Sequence, residues 1–395
     1  MERKLRVLSL FSGCGGLDLG FLGGFSFLGK KYERLNTRIV FANDFDIDAV
    51  TCYNSNKLLV QDSEKAICKD IRDVKTSEMP DFDILLAGFP CQPFSNAGNR
   101  KGVDDKNGRG TLFEVCERVL KDKIREGKKA KAFLFENVRG ILSSKMSDGK
   151  TTVPEEIRTR MKKLGYDTSM QLVCASNYGV PQMRYRVLFV GIDEKLNKHF
   201  DFNEMKQLVE AQKIPSKDFG KIEDLLLGSI LKNVPKEEYW EYSKTTQNMV
   251  EQIGPCKDAF EYFQKKFSYK TIPSFLKRGR SWKDIPPQKL SPRFKKIYDN
   301  PQKYHSPKFF RRFALGEING TITASAQPEN CGITHPTENR RYTVREIARI
   351  QSFPDDFKFD AIPLQSRYKV IGNAVPPIMA WVIAKSLIKS LKGNL

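Results

Sequence analysis

Through the first two hundred residues, short apolar runs rich in β-branched and aromatic side chains alternate with longer stretches in which apolar residues recur at helical spacing. The runs fall at 7–11, 38–42, 84–87, 132–135, 170–174 and 186–190, and the amphipathic stretches include 112–123 and 155–164. Apolar runs without a polar face belong in strands buried on both sides, so the alternation predicts an α/β fold: a doubly wound, mostly parallel sheet with helices on both faces. Beyond about residue 200 this rhythm stops, and a region rich in Lys, Pro and aromatic residues follows. Helical spacing returns over 343–351 and 375–392, which predicts that the end of the chain packs back on the sheet. The expected division is 1–200, an inserted smaller unit at 201–335, and a returning segment at 336–395.

Charge changes this picture most in the middle unit. The chain carries 67 Lys and Arg against 47 Asp and Glu, a formal net charge of +20. Residues 261–320 hold 15 basic and 4 acidic residues, whereas 201–260 hold 8 basic and 11 acidic. The basic stretch is interleaved with Phe267, Tyr269, Trp282, Tyr298, Tyr304, Phe309 and Phe310. A solvated surface would tolerate such a face, but concentrated charge with aromatics points to nucleic acid. The eight cysteines form no CxxC pair, which disfavours a zinc ribbon or a disulfide framework and favours a reduced compartment. The amino-terminal MERKLRVLSLF has no signal-peptide core, and no apolar run reaches membrane-spanning length, so a soluble, cytoplasmic chain without membrane or metal is expected.

Five stretches carry candidate chemistry. In LSLFSGCGGLDLGF, residues 8–21, a strand enters a glycine-rich turn and then a helix. That arrangement presents backbone amides to a nucleotide-like ligand, although a tight turn alone would also use these glycines. The dinucleotide fingerprint fails at Asp18, where glycine or alanine is required, so a pyrophosphate ligand is disfavoured. An acid after the second strand, Asp44, lies farther from Gly13 than that fingerprint allows, so a helix or loop over 23–31 must intervene. In GFPCQPFS, residues 88–95, two prolines stiffen the turn around Cys91, and Arg100, Lys101 and Arg109 would favour its thiolate; the bland alternative is an inert small hydrophobe. Ser95 opens a stretch with Gly98, Gly102, Gly108 and Gly110 that reads as a closing loop. Glu136 in FLFENVRG ends a buried strand, where it either caps the next helix, pairs with Arg139, or serves chemistry. Arg184 and Arg186 in NYGVPQMRYRVLFVG share one strand face and suit either solvent or an anionic group, and Gly372-Asn373 in KVIGNAVPP opens the last helix.

Taken in order, FSGCGG, PCQ, ENV, QxRxR and GN-VPP resemble the motifs of the DNA cytosine-5 methyltransferase family, over about residues 5–192 and 341–377. The resemblance implies a Rossmann-like fold of the type that binds S-adenosylmethionine, interrupted by a target-recognition domain at 201–335. It implies sequence-specific transfer of a methyl group to C5 of a cytosine flipped out of duplex DNA, through a covalent bond between Cys91 and C6. On the same basis Glu136 would assist at N3, Arg184 would neutralise charge at the cytosine carbonyl, and Arg186 would brace the loop or Glu136. The cofactor would lie against Phe11, Gly13, Gly15 and Gly16, with Asp44 on the ribose, Phe45 on the adenine face, Asp70 and Ile71 at the adenine edge, and Pro90 and Asn373 completing the pocket. DNA contacts would come from Ser95, Arg278, Arg280, Arg311 and Arg312. The family acts mostly as monomers, and in restriction-modification systems a companion endonuclease cuts the same site. The rival readings are an RNA cytosine-5 methyltransferase and a catalytically silent DNA-binding regulator.

Overall fold

The computed structural model describes residues 3–89, 112–146, 148–264, 268–303 and 309–392. Pro90, Cys91, Ser95, Phe267 and Tyr304 therefore lie outside the described residues. The strands in chain order are β1 Leu5–Leu10, β2 Phe25–Phe27, β3 Lys30–Tyr32, β4 Thr37–Asp44, β5 Ala66–Cys68, β6 Ile84–Ala87, β7 Ala132–Val138, β8 Tyr166–Cys174, β9 Gln182–Met183, β10 Tyr185–Asp193 and β11 Asn319–Gly320. Seven of them form one sheet in the order β5-β4-β1-β6-β7-β10-β8. The pairings are parallel from β5 to β7, and β10 runs antiparallel to both β7 and β8. The expected alternation is present, with the antiparallel β10 as its exception.

Strand alternation divides the apolar runs between two cores, one on each face of the sheet. Ile84, Leu86, Leu134, Leu188 and Val190 enter one core, while Leu85, Ala87, Phe133, Phe135, Val187 and Phe189 enter the other. Burial on both faces explains why these strands read as continuous apolar runs. The carboxy-terminal helix Pro377–Lys392, buried along most of its length, packs on the helix Gly16–Leu22 in the first core. This is the return predicted from helical spacing. Contrary to the sequence reading, one helical stretch among the described residues, Leu364–Lys392, is long and apolar enough to cross a membrane by composition, and it is mostly buried inside the protein.

Two features depart from expectation. The segment between the glycine turn and Asp44 is a small antiparallel hairpin of β2 and β3, not a helix or open loop. The basic middle region is organised by short 3-10 and α-helical turns around two small cores of its own, one on Trp282, Phe294 and Phe310 and one on Leu226, Phe263 and Leu276. Trp282 and Phe310 are thus interior anchors, and Trp282 packs 5.5 Å from Phe294. They are not a stacking surface for bases.

Candidate active site

The site forms where the carboxyl ends of β1, β4, β6 and β7 open, as expected for ligands of an open parallel sheet. Phe11 leaves β1 in a left-handed conformation at φ 56°, which is unusual for an aromatic residue and marks a constrained turn. Gly13 donates its backbone N–H to Asp44 Oδ2 at 2.8 Å, so the first turn is fastened to the end of β4. Asp44 Oδ1 accepts from the Asp46 amide at 3.0 Å. Each carboxylate oxygen keeps a further lone pair for a hydroxyl donor. Burial pushes the Asp44 carboxyl above the usual aspartate range, opposed by these backbone hydrogen bonds.

Gly15 occupies φ 88°, and a Cβ there would lie 2.4 Å from Leu59 and 2.9 Å from Tyr53. Only glycine fits that position. A Cβ on Gly16 would lie 2.3 Å from the Val375 carbonyl oxygen, so the turn is seated on the GN-AVPP segment. Beneath the turn Asp18 is fully buried, accepting from Ser9 Oγ at 2.6 Å and Tyr53 OH at 2.9 Å. Ser12 Oγ, also buried, has no hydrogen-bond partner among the described residues. An orphaned hydroxyl in a turn of this kind fits a bound polar group.

Phe45 stands 69% exposed beside Asp44, its ring open to a planar ligand. Ile71 is buried, while Asp70 caps the turn Ile71–Asp73 and is gripped by Arg72 at 2.5 Å, which holds its carboxyl below the usual aspartate range. Asn373 ends the helix Leu364–Asn373 with an exposed side chain.

Glu136, near the end of β7, is 8% exposed and pairs with Arg186 Nε at 2.5 Å. The register explains the pairing, because Glu136 lies opposite Leu188 and Arg186 is two residues away on the same face. The partner is Arg186, the brace that the motif resemblance implied, and not the Arg139 three residues along the chain. The second oxygen, Oε2, is 3.7 Å from where a Cβ on Gly88 would sit, and that position is 3.9 Å from the Phe11 carbonyl oxygen. Gly88 thus joins the end of β6 to both the glutamate and the glycine turn, with Cys91 three residues farther along the chain.

Arg184 is committed elsewhere. It is 2% exposed and donates to the Ile322 carbonyl at 3.0 Å and the Gly372 carbonyl at 3.1 Å. A Cβ on Gly372 would lie 2.5 Å from the Thr323 backbone, so these two segments touch directly and Arg184 ties both to the QMRYR strand. Gln182 reinforces the joint by accepting from the Ile322 amide at 3.0 Å and donating to the Gln351 side chain. Sequence reasoning passed over Ser12, Tyr53 and Gln182. Ser12 and Gln182 lie inside the quoted motifs, but Tyr53 offered no signal apart from helical spacing.

The arginines expected to meet DNA fare unevenly. Arg278 is 82% exposed in its side chain. Arg280 donates to the Pro255 carbonyl, and Arg311 pairs with Glu317 at 2.6 Å. Arg312 corrects the expectation: it is 1% exposed, bonded to Val250 O and Asn339 Oδ1, and burial lowers its guanidinium to about 10. Its alternation with neighbours around the Arg280–Arg312 bridge turns it into the interior, where it cannot reach a phosphate.

Comparison with known proteins agrees with this geometry. The C-5 cytosine-specific DNA methylase family matches residues 5–389. The Type II methyltransferase M.FnuDI of Fusobacterium nucleatum is 32% identical over 391 residues, covering 98% of this chain and 95% of that protein. M.NgoPII of Neisseria gonorrhoeae is likewise 32% identical over 400 residues, covering 98% and 96%. In fold, the S. pombe Dnmt2 methyltransferase superposes with a TM-score of 0.58 at 16% identity, covering 98% of each chain. Entamoeba histolytica EhMeth gives 0.59 at 15%, again over 98% of each chain. The described motifs FSGCGG, ENV and GN-VPP surround one sheet end and the family match spans nearly the whole sequence: the chain belongs to the C-5 cytosine-specific DNA methylase family, whose reaction is methylation of cytosine in DNA.

Proposed function

We propose that the chain transfers the methyl group of S-adenosylmethionine to C5 of a cytosine swung out of duplex DNA, with Cys91 as nucleophile, and that it protects a short recognition sequence in a restriction-modification pair. The observation that carries this reading is the buried Glu136–Arg186 pair beside Gly88, which leads directly to Cys91. C5 of cytosine is too poor a nucleophile to take a methyl group unaided. Addition of the Cys91 thiolate to C6 makes an enamine whose electron density lies at C5. Negative charge then builds toward N3 and O2, where Glu136 Oε2 engages the N3 edge and the Arg186 guanidinium faces the carbonyl. Arg186 thus keeps its expected place beside Glu136 and also takes the carbonyl contact first expected of Arg184. Arg186 stands in the site, and Arg184 is a positioning residue that holds the Thr321–Ser325 and Gly372-Asn373 segments in place.

The donor supplies an electrophilic methyl on a sulfonium, and a ligand without phosphate suits a turn that lacks the dinucleotide fingerprint. Asp44 would hold the ribose hydroxyls, Phe45 the adenine face, and the Ser12 hydroxyl a polar group of the methionine moiety. C5 takes the methyl group as the S–CH3 bond breaks and the donor leaves as its neutral thioether, S-adenosylhomocysteine; loss of the C5 proton to a base and elimination of the Cys91 thiolate then give 5-methylcytosine and regenerated enzyme. Reaching a stacked base costs a few kcal/mol of unstacking, which contacts to the phosphate backbone must repay. Arg278 is one candidate contact, and a monomer bound across one duplex suffices. The test is Cys91→Ser with Glu136→Gln: both lose methyl transfer, by about a hundredfold or more for the glutamine variant, while S-adenosylmethionine still binds. Full transfer by Cys91→Ser would refute the nucleophile.

A further inference from the structure

We propose that Arg139 and Tyr185 form a contact for the sugar-phosphate backbone on the catalytic half of the molecule, separate from the basic middle region. The inference rests on the DNA methylation reading above. Arg186 lies opposite Val138 at the end of the β7–β10 pairing, Tyr185 is the residue before it on β10, and Arg139 follows Val138 at the start of the short turn Arg139–Ser143. The Arg139 guanidinium sits 5.8 Å from the centre of the Tyr185 ring, a cation–π contact one residue along from the Glu136–Arg186 pair. Such contacts are common on protein surfaces. Three observations set this one apart.

Arg139 is exposed and, like Arg158 and Arg293, pairs with no carboxylate among the described residues, whereas exposed Arg38 and Arg72 each have an acidic partner. Tyr185 is 37% exposed, one of few large rings left open to solvent, and its phenol rests against Cys174 with Lys217 also facing it. Lys217 is itself paired with Asp218 at 3.8 Å, an acid also engaged by Asn177 at 2.7 Å. Finally, any nucleotide whose base reaches Glu136 must lead its backbone over the rim of this sheet end. A cation held flat on an aromatic ring leaves its N–H groups pointing outward, which suits a phosphate oxygen. With Arg312 interior and Arg311 paired to Glu317, this rim adds a positive group to those the middle region still presents, such as Arg278.

The experiment uses the full chain and a fluorescein-labelled mixed-sequence duplex, with anisotropy read from about 50 to about 200 mM salt. Arg139→Gln is expected to weaken binding and to lower the slope of log affinity against log salt by about 0.9, the loss of one phosphate contact. Arg139→Lys restores the slope. Tyr185→Phe retains binding and Tyr185→Ala does not, while affinity for S-adenosylmethionine is unchanged in all four. A wild-type slope in Arg139→Gln overturns the proposal, as does loss of S-adenosylmethionine binding, which would mark a collapsed site. If the wild-type chain binds the duplex but transfers no methyl, the reaction reading fails while the slope still decides the contact.

Discussion

Asp18 makes the sharpest quantitative prediction. It is fully buried between β1, the glycine turn and the helix Ile47–Ser55, and burial raises its carboxyl from the ordinary 3.8 to about 6. The hydrogen bonds from Ser9 and Tyr53 oppose that rise without cancelling it. A carboxyl whose folded value exceeds its unfolded value binds its proton more tightly in the folded chain. Its contribution to stability is therefore fully present below about pH 4 and lost as pH rises through about 6. At 1.36 kcal/mol per pH unit the whole effect is about 3 kcal/mol, and about 2 kcal/mol of it falls between pH 4.5 and pH 7.5. Asp18→Asn keeps an acceptor for Ser9 and cannot titrate. Urea unfolding of both proteins, followed by far-ultraviolet circular dichroism, should show wild type losing about 2 kcal/mol relative to Asp18→Asn across that range. Comparing the two proteins at each pH removes the opposite trend from other acids held low by partners, such as Asp83 with its arginines and Lys131. A difference between the two proteins that stays constant with pH would refute the assignment of a buried, raised carboxyl.

Other perturbations test the joints around the site. Gly16→Ala drives a methyl group into the Val375 carbonyl, and displacing the turn should cut methyl transfer by about a hundredfold, read as a higher KM for S-adenosylmethionine. Arg184→Ala leaves the Ile322 and Gly372 carbonyls without their donor and should destabilise by about 3 kcal/mol in urea unfolding. Arg312→Met should leave the salt dependence of DNA binding unchanged and cost under about 1 kcal/mol, because its Nε and Nη1 are buried without partners among the described residues.

The sheet was legible because its strands are buried on both faces, so Ile84 to Ala87 and Ala132 to Phe135 carry no polar residue that could belong to a helix surface. The glycine turn was legible for a similar reason, since Gly15 at positive φ against Tyr53 admits no other side chain. Pairing was legible only in part. Local spacing offered Glu136 the Arg139 three residues away, whereas the motif resemblance offered Arg186 as its brace, and the register of an antiparallel strand brings Arg186 to it. The contacts of Arg184 to Ile322 and Gly372, over a hundred residues away, could not be read from the sequence. In the middle region, composition could not separate Trp282, Phe310 and Arg312 in the interior from Arg278 and Tyr298 at the surface. Short 3-10 turns have no long periodicity to reveal which side faces in.

The central claim is tested most directly by incubating the purified chain with methyl-labelled S-adenosylmethionine and mixed-sequence duplex DNA, then locating product by bisulfite sequencing. The account predicts labelled 5-methylcytosine confined to one short recurring sequence, and none with Cys91→Ser. Bound donor with no label in DNA, or label retained by Cys91→Ser, would contradict it.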